Sequence, residues 1–265
     1  MNLDALCKQV IEVSEEVGNF LISQNLEKQD IEEKSLNNLV SYVDKQAELL
    51  FVSRLTELLP EAGFIAEEGT GAPSNSGLNW IIDPLDGTTN FIHAIPFYCT
   101  SVALVQNGEL LIGVIHDPNH EHTFHAFKSG GAWLNSREIK VNENQNLQAA
   151  LLATGFPYDD FGRQDQYMEL LKDFTQNTRG IRRLGSAALD LAYVAWGKFD
   201  SFYEYGLNPW DVAAGILIVQ EAGGICSGFH EDGDPLFGTD IVASSSGVHE
   251  QMLSTICTYF PSPQT

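Results

Sequence analysis

The chain has 265 residues, 43% of them hydrophobic and 19% charged, enough for one large or two modest domains with a substantial core. A formal net charge of −22 argues against nucleic acid as a partner held through its phosphates. Four scattered cysteines, Cys7, Cys99, Cys226 and Cys257, form no Cys-x-x-Cys pair and read as reduced thiols of a cytoplasmic protein.

Residues 4–24 open the chain with an amphipathic helical pattern in which Leu6, Val10, Val13, Val17, Phe20 and Leu21 share a face. Acidic residues interrupt this stretch early, so it lacks the basic start and continuous apolar core of a signal peptide. No run approaches the length needed to cross a membrane. A polar link through Lys34 and Asn38 is expected to lead to a second helix over roughly 43–59, stopped by Pro60.

Short buried strands are predicted at 63–66 and 79–83, joined by a Gly, Ser and Pro-rich loop over 69–77. Alternating runs at 98–106, 109–116, 122–128 and 131–134 predict an antiparallel sheet with tight turns such as Asn107-Gly108. His116, His120, His122 and His125 flank the turn Asp117-Pro118-Asn119, which favours an exposed hairpin over a zinc site. The polar stretch 142–148 is the expected join between two lobes. Beyond it a strand is predicted near 150–154 and a helix over 162–176. An apolar core helix follows over 186–196, then a strand near 199–203. The last predicted helix runs from about 210 to 222, closed by Gly223-Gly224. Strands mixed with helices predict a layered α/β architecture.

Chemistry concentrates in Trp80-Ile81-Ile82-Asp83-Pro84-Leu85-Asp86-Gly87-Thr88-Thr89-Asn90-Phe91. Apolar residues run into two aspartates and a turn. Carboxylates bind hard cations such as Mg²⁺, and a turn opening into a helix presents backbone amides to phosphate. Two further acidic signals follow apolar runs or open them: Glu67-Glu68-Gly69 and Trp210-Asp211-Val212-Ala213-Ala214-Gly215. Taken alone, Asp211 reads as a helix cap, Thr88 as an N-cap hydroxyl, Glu204 as a solvated loop acid, and Asp44 as a cap before a helix over 45–59.

Together the Glu-Glu pair, the Asp-Pro-x-Asp-Gly-Thr-x-Asn-Phe segment and the Trp-Asp-x-Ala-Ala-Gly segment, in that order, resemble the inositol monophosphatase family of Mg²⁺-dependent, lithium-sensitive phosphatases. The resemblance runs from about residue 5 to about 257. It implies a layered α/β (α+β) fold, the five-layer αβαβα sandwich of the inositol monophosphatase and fructose-1,6-bisphosphatase type. It also implies a single catalytic unit over 1–265: a lobe over 1–145 carries most metal ligands, and a lobe over 146–265 completes the site.

Carried over residue by residue, the resemblance makes Glu67, Asp83, Asp86, Asp211 and the Leu85 carbonyl the ligands of two or three Mg²⁺ ions, with Mn²⁺ able to substitute. Glu67, Asp44 and Thr88 become the catalytic set, the last two orienting and activating the attacking water. Asp86, Gly87, Thr88, Gly185, Ser186, Ala187, Glu204 and Asp211 contact substrate, with the Gly87 and Thr88 amides facing the phosphate and Glu204 the polyol hydroxyls. Glu68 falls outside the ligand set. Arg182 and Arg183 could reach phosphate or a partner subunit, with a surface salt bridge the plainer reading. The implied activity is hydrolysis of myo-inositol 1-phosphate or a similar polyol phosphate by a homodimer. Fructose-1,6-bisphosphate, histidinol phosphate and 3′-phosphoadenosine nucleotides are alternative substrates on the same scaffold. A regulatory binding protein built on the phosphatase fold is the alternative of another class. Leu207-Asn208-Pro209 before Trp210 departs from a common version of the last motif and touches fine substrate contacts only.

Overall fold

The computed structural model describes residues 1–24, 33–157 and 161–261, with the side chains of 33–41 outside that description. Two sheets organise it. The first holds seven strands in sequence order: β1 (Gly63–Ala66), β2 (Leu78–Asp86), β3 (Cys99–Gln106), β4 (Glu109–Asp117), β5 (His122–Phe127), β6 (Ala132–Leu134) and β7 (Arg137–Ile139). Only β1 runs parallel to its neighbour. The second has the order β11-β12-β10-β8-β9, from β8 (Leu151–Thr154), β9 (Gly180–Arg182), β10 (Ser201–Tyr205), β11 (Ile225–Ser227) and β12 (Asp240–Ser244).

Helices α1 (Leu3–Ser23) and α2 (Glu33–Leu58) cover one face of the first sheet. Its other face packs on α5 (Ala187–Ala195) and α6 (Pro209–Glu221), which also touch the second sheet. Outside that second sheet lie α4 (Gln164–Asn177) and α7 (His249–Tyr259). The result is the five-layer αβαβα arrangement.

Strand periodicity explains how the layers separate. On β2, Ile81 joins the central apolar layer while Trp80 and Ile82 face α1 and α2. On β10, Phe202 faces the centre and Tyr203 and Tyr205 face outward. Each such fully buried side chain contributes roughly 1.5–3 kcal/mol of transfer free energy. The Asn107-Gly108 hairpin forms as predicted, with φ of 53° and 84° at its two residues.

Two predicted boundaries move. The segment through Lys34 and Asn38 is part of α2, which starts at Glu33 instead of near 43. Asp44 therefore lies inside a helix and caps nothing. The strand predicted at 79–83 continues to Asp86, through a register shift between Asp83 and Asp86 opposite Ser101 and Cys99. Pro84 has no amide for the ladder, so a bulge there suits its chemistry. That bulge re-aims both aspartates. The short strands β7, β9 and β11, together with β12 and α7, were not foreseen.

Candidate active site

The end of β2 delivers Asp83, Leu85 and Asp86 to a cavity of about 540 Å³. Glu67 follows β1, Thr88 opens the short helix α3 (Thr88–Ile92), and Ser186 precedes α5; all three line the same cavity. Glu204 from β10 and Asp211 from the first turn of α6 complete its acidic wall. Every residue expected to hold metal or substrate reaches this one space. Asp44 is the exception: it is buried behind the wall, and its Oδ1 has no hydrogen-bond partner.

Local bonds fix the acids. Asp83 is 2% exposed and its Oδ1 accepts the Leu85 amide at 2.9 Å, a local turn that sits within the bulge of β2. The Thr88 hydroxyl donates to the Leu85 carbonyl at 3.0 Å. Gly87 adopts φ of 96°, a left-handed conformation that glycine reaches without a Cβ clash. Asp86 Oδ2 accepts the Ser186 hydroxyl at 2.6 Å and the Ala188 amide at 2.7 Å. The amides of Ala187 and Gly87 support the same carboxylate. The Gly87 amide, expected to face phosphate, thus points at Asp86. Ser186 also caps α5 by accepting the Leu189 amide at 3.2 Å. Asp211 does cap α6, its Oδ2 accepting the Asn208 amide at 2.7 Å, while it still lines the cavity.

Crowding of like charges in a partly dry cavity favours protonated acids. Burial first, then Glu67, Asp86 and Asp211, push Asp83 well above the usual carboxylate range. Burial likewise raises Asp86, against its hydrogen bonds from Ser186 and the α5 amides. Asp211 rises to about 7 through burial and the charge of Asp86. Asp44 also rises to about 7, through burial and the charges of Glu68 and Glu48. Glu204 reaches about 8, driven by burial and opposed by Arg183. Glu67, an exposed residue as a whole, is lifted to about 7 by partial desolvation first and then by the charges of Asp86, Asp44 and Glu68.

Glu67 and Asp83 are neighbours whose charges oppose one another, so in the absence of a cation the pair favours holding a proton. A cation at that place would relieve the same repulsion. The donors are all oxygen, the set that Mg²⁺ and Mn²⁺ prefer to thiolate or imidazole. Among the described residues, no three His, Cys, Asp or Glu side chains are already drawn together as an ion would hold them.

Sequence reasoning missed four supporting residues. Asn90 donates to the Phe97 carbonyl at 2.7 Å and the Leu184 carbonyl at 2.8 Å, tying α3 to the turn before Ser186. Glu48 holds the loop after Glu67. Gly155 lies directly beneath the Glu204 carboxyl. Asp190 lines the cavity from α5. The signal for Glu48 was its spacing from Asp44, one helical turn, and for Asp190 its place as the lone acid in an apolar helix. Glu204 is a buried strand residue, not a loop acid. Arg183 lines the cavity, whereas the Arg182 side chain donates to the adjacent Ile181 carbonyl, at 3.0 Å, and is absent from the lining. The four histidines sit on the β4–β5 hairpin, where His120 Nδ1 and Asp117 Oδ2 lie 2.8 Å apart.

Five α and β layers enclosing an acid-lined, oxygen-rich cavity define a recognisable class of protein. The model of the inositol monophosphatase family matches residues 2–261, and the chain belongs to that family. It is 43% identical over 233 residues to "Putative Nus factor SuhB" of Neisseria meningitidis serogroup B, covering 88% of this chain and 89% of the relative. It is 40% identical over 224 residues to "Inositol-1-monophosphatase" of Rhizobium meliloti, covering 84% of each. Among solved structures, the inositol monophosphatase of Anabaena (Nostoc) sp. PCC 7120 superimposes with a TM-score of 0.86 at 33% identity over 97% of both chains.

Proposed function

We propose that the chain is a Mg²⁺-dependent phosphomonoesterase acting on an inositol-monophosphate-like polyol phosphate. The observation that carries this reading is the convergence of Glu67, Asp83, Leu85, Asp86 and Asp211 on one cavity that Glu204 also faces. Mg²⁺ bound to those five residues would supply positive charge for the phosphate and acidify a coordinated water.

The chain's own groups account for orientation. Thr88 donates its hydroxyl hydrogen to the Leu85 carbonyl, so its oxygen is left to accept a hydrogen bond from the attacking water and orient it. Asp44, ionised and with an unpartnered Oδ1, would be the base that receives the proton the water loses. Ser186 and the first amides of α5 hold Asp86 in one rotamer, which fixes its free edge toward the cavity. Glu204 faces the alcohol portion of the ester. The acidity of the chain is then a device for gathering cations, which reverse the local sign of charge before an anionic ester arrives.

The test is phosphate release from inositol 1-phosphate with Mg²⁺, with added lithium, and with Asp86→Asn. Mg²⁺-dependent turnover, suppressed by lithium and lost in the variant, supports the assignment. Absence of turnover in a folded, Mg²⁺-binding protein would turn attention to fructose 1,6-bisphosphate, histidinol phosphate and 3′-phosphoadenosine nucleotides. A second reading, a regulatory binding role beside catalysis, is favoured by relatives that carry the name Nus factor. Retention of the whole acidic set places catalysis first. The homodimer, the cytoplasmic location and the division into lobes at 145/146 belong to the same proposal.

A further inference from the structure

Asp190 lies in the first turn of α5, four residues after the cap Ser186, and both residues line the cavity. Ser186 is engaged there, holding Asp86. Asp190 has no comparable engagement. It is 1% exposed, its Oδ1 lacks a hydrogen-bond partner, and it borders the cavity. The charges around it are Glu204 and Asp86, which repel it, and Arg183, which attracts it. A buried acceptor without a donor costs stability, and an apolar residue would serve the helix Ala-Ala-Leu-Asp-Leu-Ala-Tyr-Val-Ala better. The arrangement becomes favourable only when a donor enters the cavity.

Glu204 borders the same space from β10 and is also buried. A Cβ on Gly155 would collide with both of its carboxyl oxygens, so the acid rests on bare backbone. Two acceptor groups from different elements thus share one cavity, with the Arg183 side chain beside them.

We propose that Asp190 is a specificity-determining residue which, beside Glu204, accepts hydroxyl hydrogens from the alcohol portion of the substrate. The pair selects a leaving group bearing at least two hydroxyls and disfavours one bearing a second phosphate. This inference rests on the phosphomonoesterase reading above.

The experiment compares inositol 1-phosphate with p-nitrophenyl phosphate, whose leaving group carries no hydroxyl beyond the ester oxygen. Asp190→Asn in the full chain, with saturating Mg²⁺, is expected to raise KM for inositol 1-phosphate about tenfold and to change kcat by less than about threefold. Both constants for p-nitrophenyl phosphate should stay within about twofold. Asp190→Leu should show the same selectivity with a melting temperature no lower than that of the parent chain. Equal losses on both esters, no change on either, or a lowered melting temperature with both losses would overturn the inference and leave the phosphatase reading standing. A parent chain that hydrolyses neither ester with Mg²⁺ would overturn both.

Discussion

Glu48, on α2, accepts the backbone amide of Glu68 at 2.8 Å, and its second carboxyl oxygen accepts that of Thr70 at the same distance. On the other side of the loop, the Glu67 amide donates to the Ile82 carbonyl of β2 at 3.2 Å. Glu67 is thus suspended between a helix and a strand, and its aim into the cavity depends on both. Glu48 is fully buried and the two bonds are half-buried, so its removal would leave two amides without their partner.

Glu48→Ala should therefore destabilise the chain by about 2–4 kcal/mol, since hydrogen bonds to a charged group contribute about 1.5–3 kcal/mol each and are not additive. Urea unfolding measures this. Calorimetric titration with Mg²⁺ on Glu48→Gln, which preserves the shape, should show weaker binding through the loosened Glu67. Unaltered Mg²⁺ affinity would mean that the loop holds its geometry without the clamp.

The metal-free protein should lose stability as pH rises. In the folded chain Asp44, Glu67 and Asp211 titrate at about 7 and Glu204 at about 8, above the range of the same acids in an unfolded chain. An acid raised on folding binds more protons folded than unfolded between those limits, so stability falls as pH climbs from about 4 to about 8. Mg²⁺ competes with the protons and favours the ionised acids. The melting temperature without Mg²⁺ should drop between pH 5 and pH 8, and the rise on adding Mg²⁺ should be larger at pH 8. A Mg²⁺ response that is larger at pH 5 would sink this account.

His116 acts in the opposite direction. Burial lowers it to about 4, against the usual value near 6.5, and its Nδ1 lies 2.9 Å from the Thr123 hydroxyl. The ring also packs so closely on α1 that a Cβ at Gly18 would come within 2.5 Å of it. Its folded value is depressed, so its contribution is present above pH 6.5 and is lost as pH falls toward 4. At about 1.4 kcal/mol for each pH unit, the loss reaches about 2–3 kcal/mol. His125 and His249 are also lowered by burial and add to the same limb. In the metal-free protein, where the raised acids make stability climb as pH falls, removing this opposing contribution in His116→Gln should steepen that climb between pH 6.5 and 4. An unchanged slope would mean that His116 carries no part of the pH dependence.

Much of this organisation is legible in the sequence because the signals are local. The apolar run into Asp83 and Asp86, the Asn107-Gly108 turn and the α6 cap at Asp211 each need only neighbours along the chain. What failed was what depends on distant partners. Asp44 looks like a cap because the polar residues before it hide ten further residues of helix. Glu48 and Asp190 look like solvated or incidental acids until the loop after β1 and the cavity stand beside them. Three-residue strands such as β7, β9 and β11 are too short to leave a period of two. Neither β12 nor α7 was foreseen, although Ile241 and Ala243 face the central layer and Val242 faces Met252 and Ile256 of α7.

Gly155 gives the sharpest separation between the metal half of the cavity and its alcohol half. It is buried where β8 ends, with the Glu204 carboxyl against its α-carbon. Its backbone is not in the left-handed region, so alanine there adds volume without backbone strain. The added methyl must displace Glu204, which has little freedom because its strand is paired on both sides, with β8 and β12. Overpacking of this kind costs about 1–3 kcal/mol. Gly155→Ala should therefore raise KM for inositol 1-phosphate by about tenfold or more while Mg²⁺ affinity and p-nitrophenyl phosphate turnover hold. Steady-state kinetics with both esters and a Mg²⁺ titration decide it. Loss of Mg²⁺ affinity in this variant would mean that the two halves of the cavity are mechanically one.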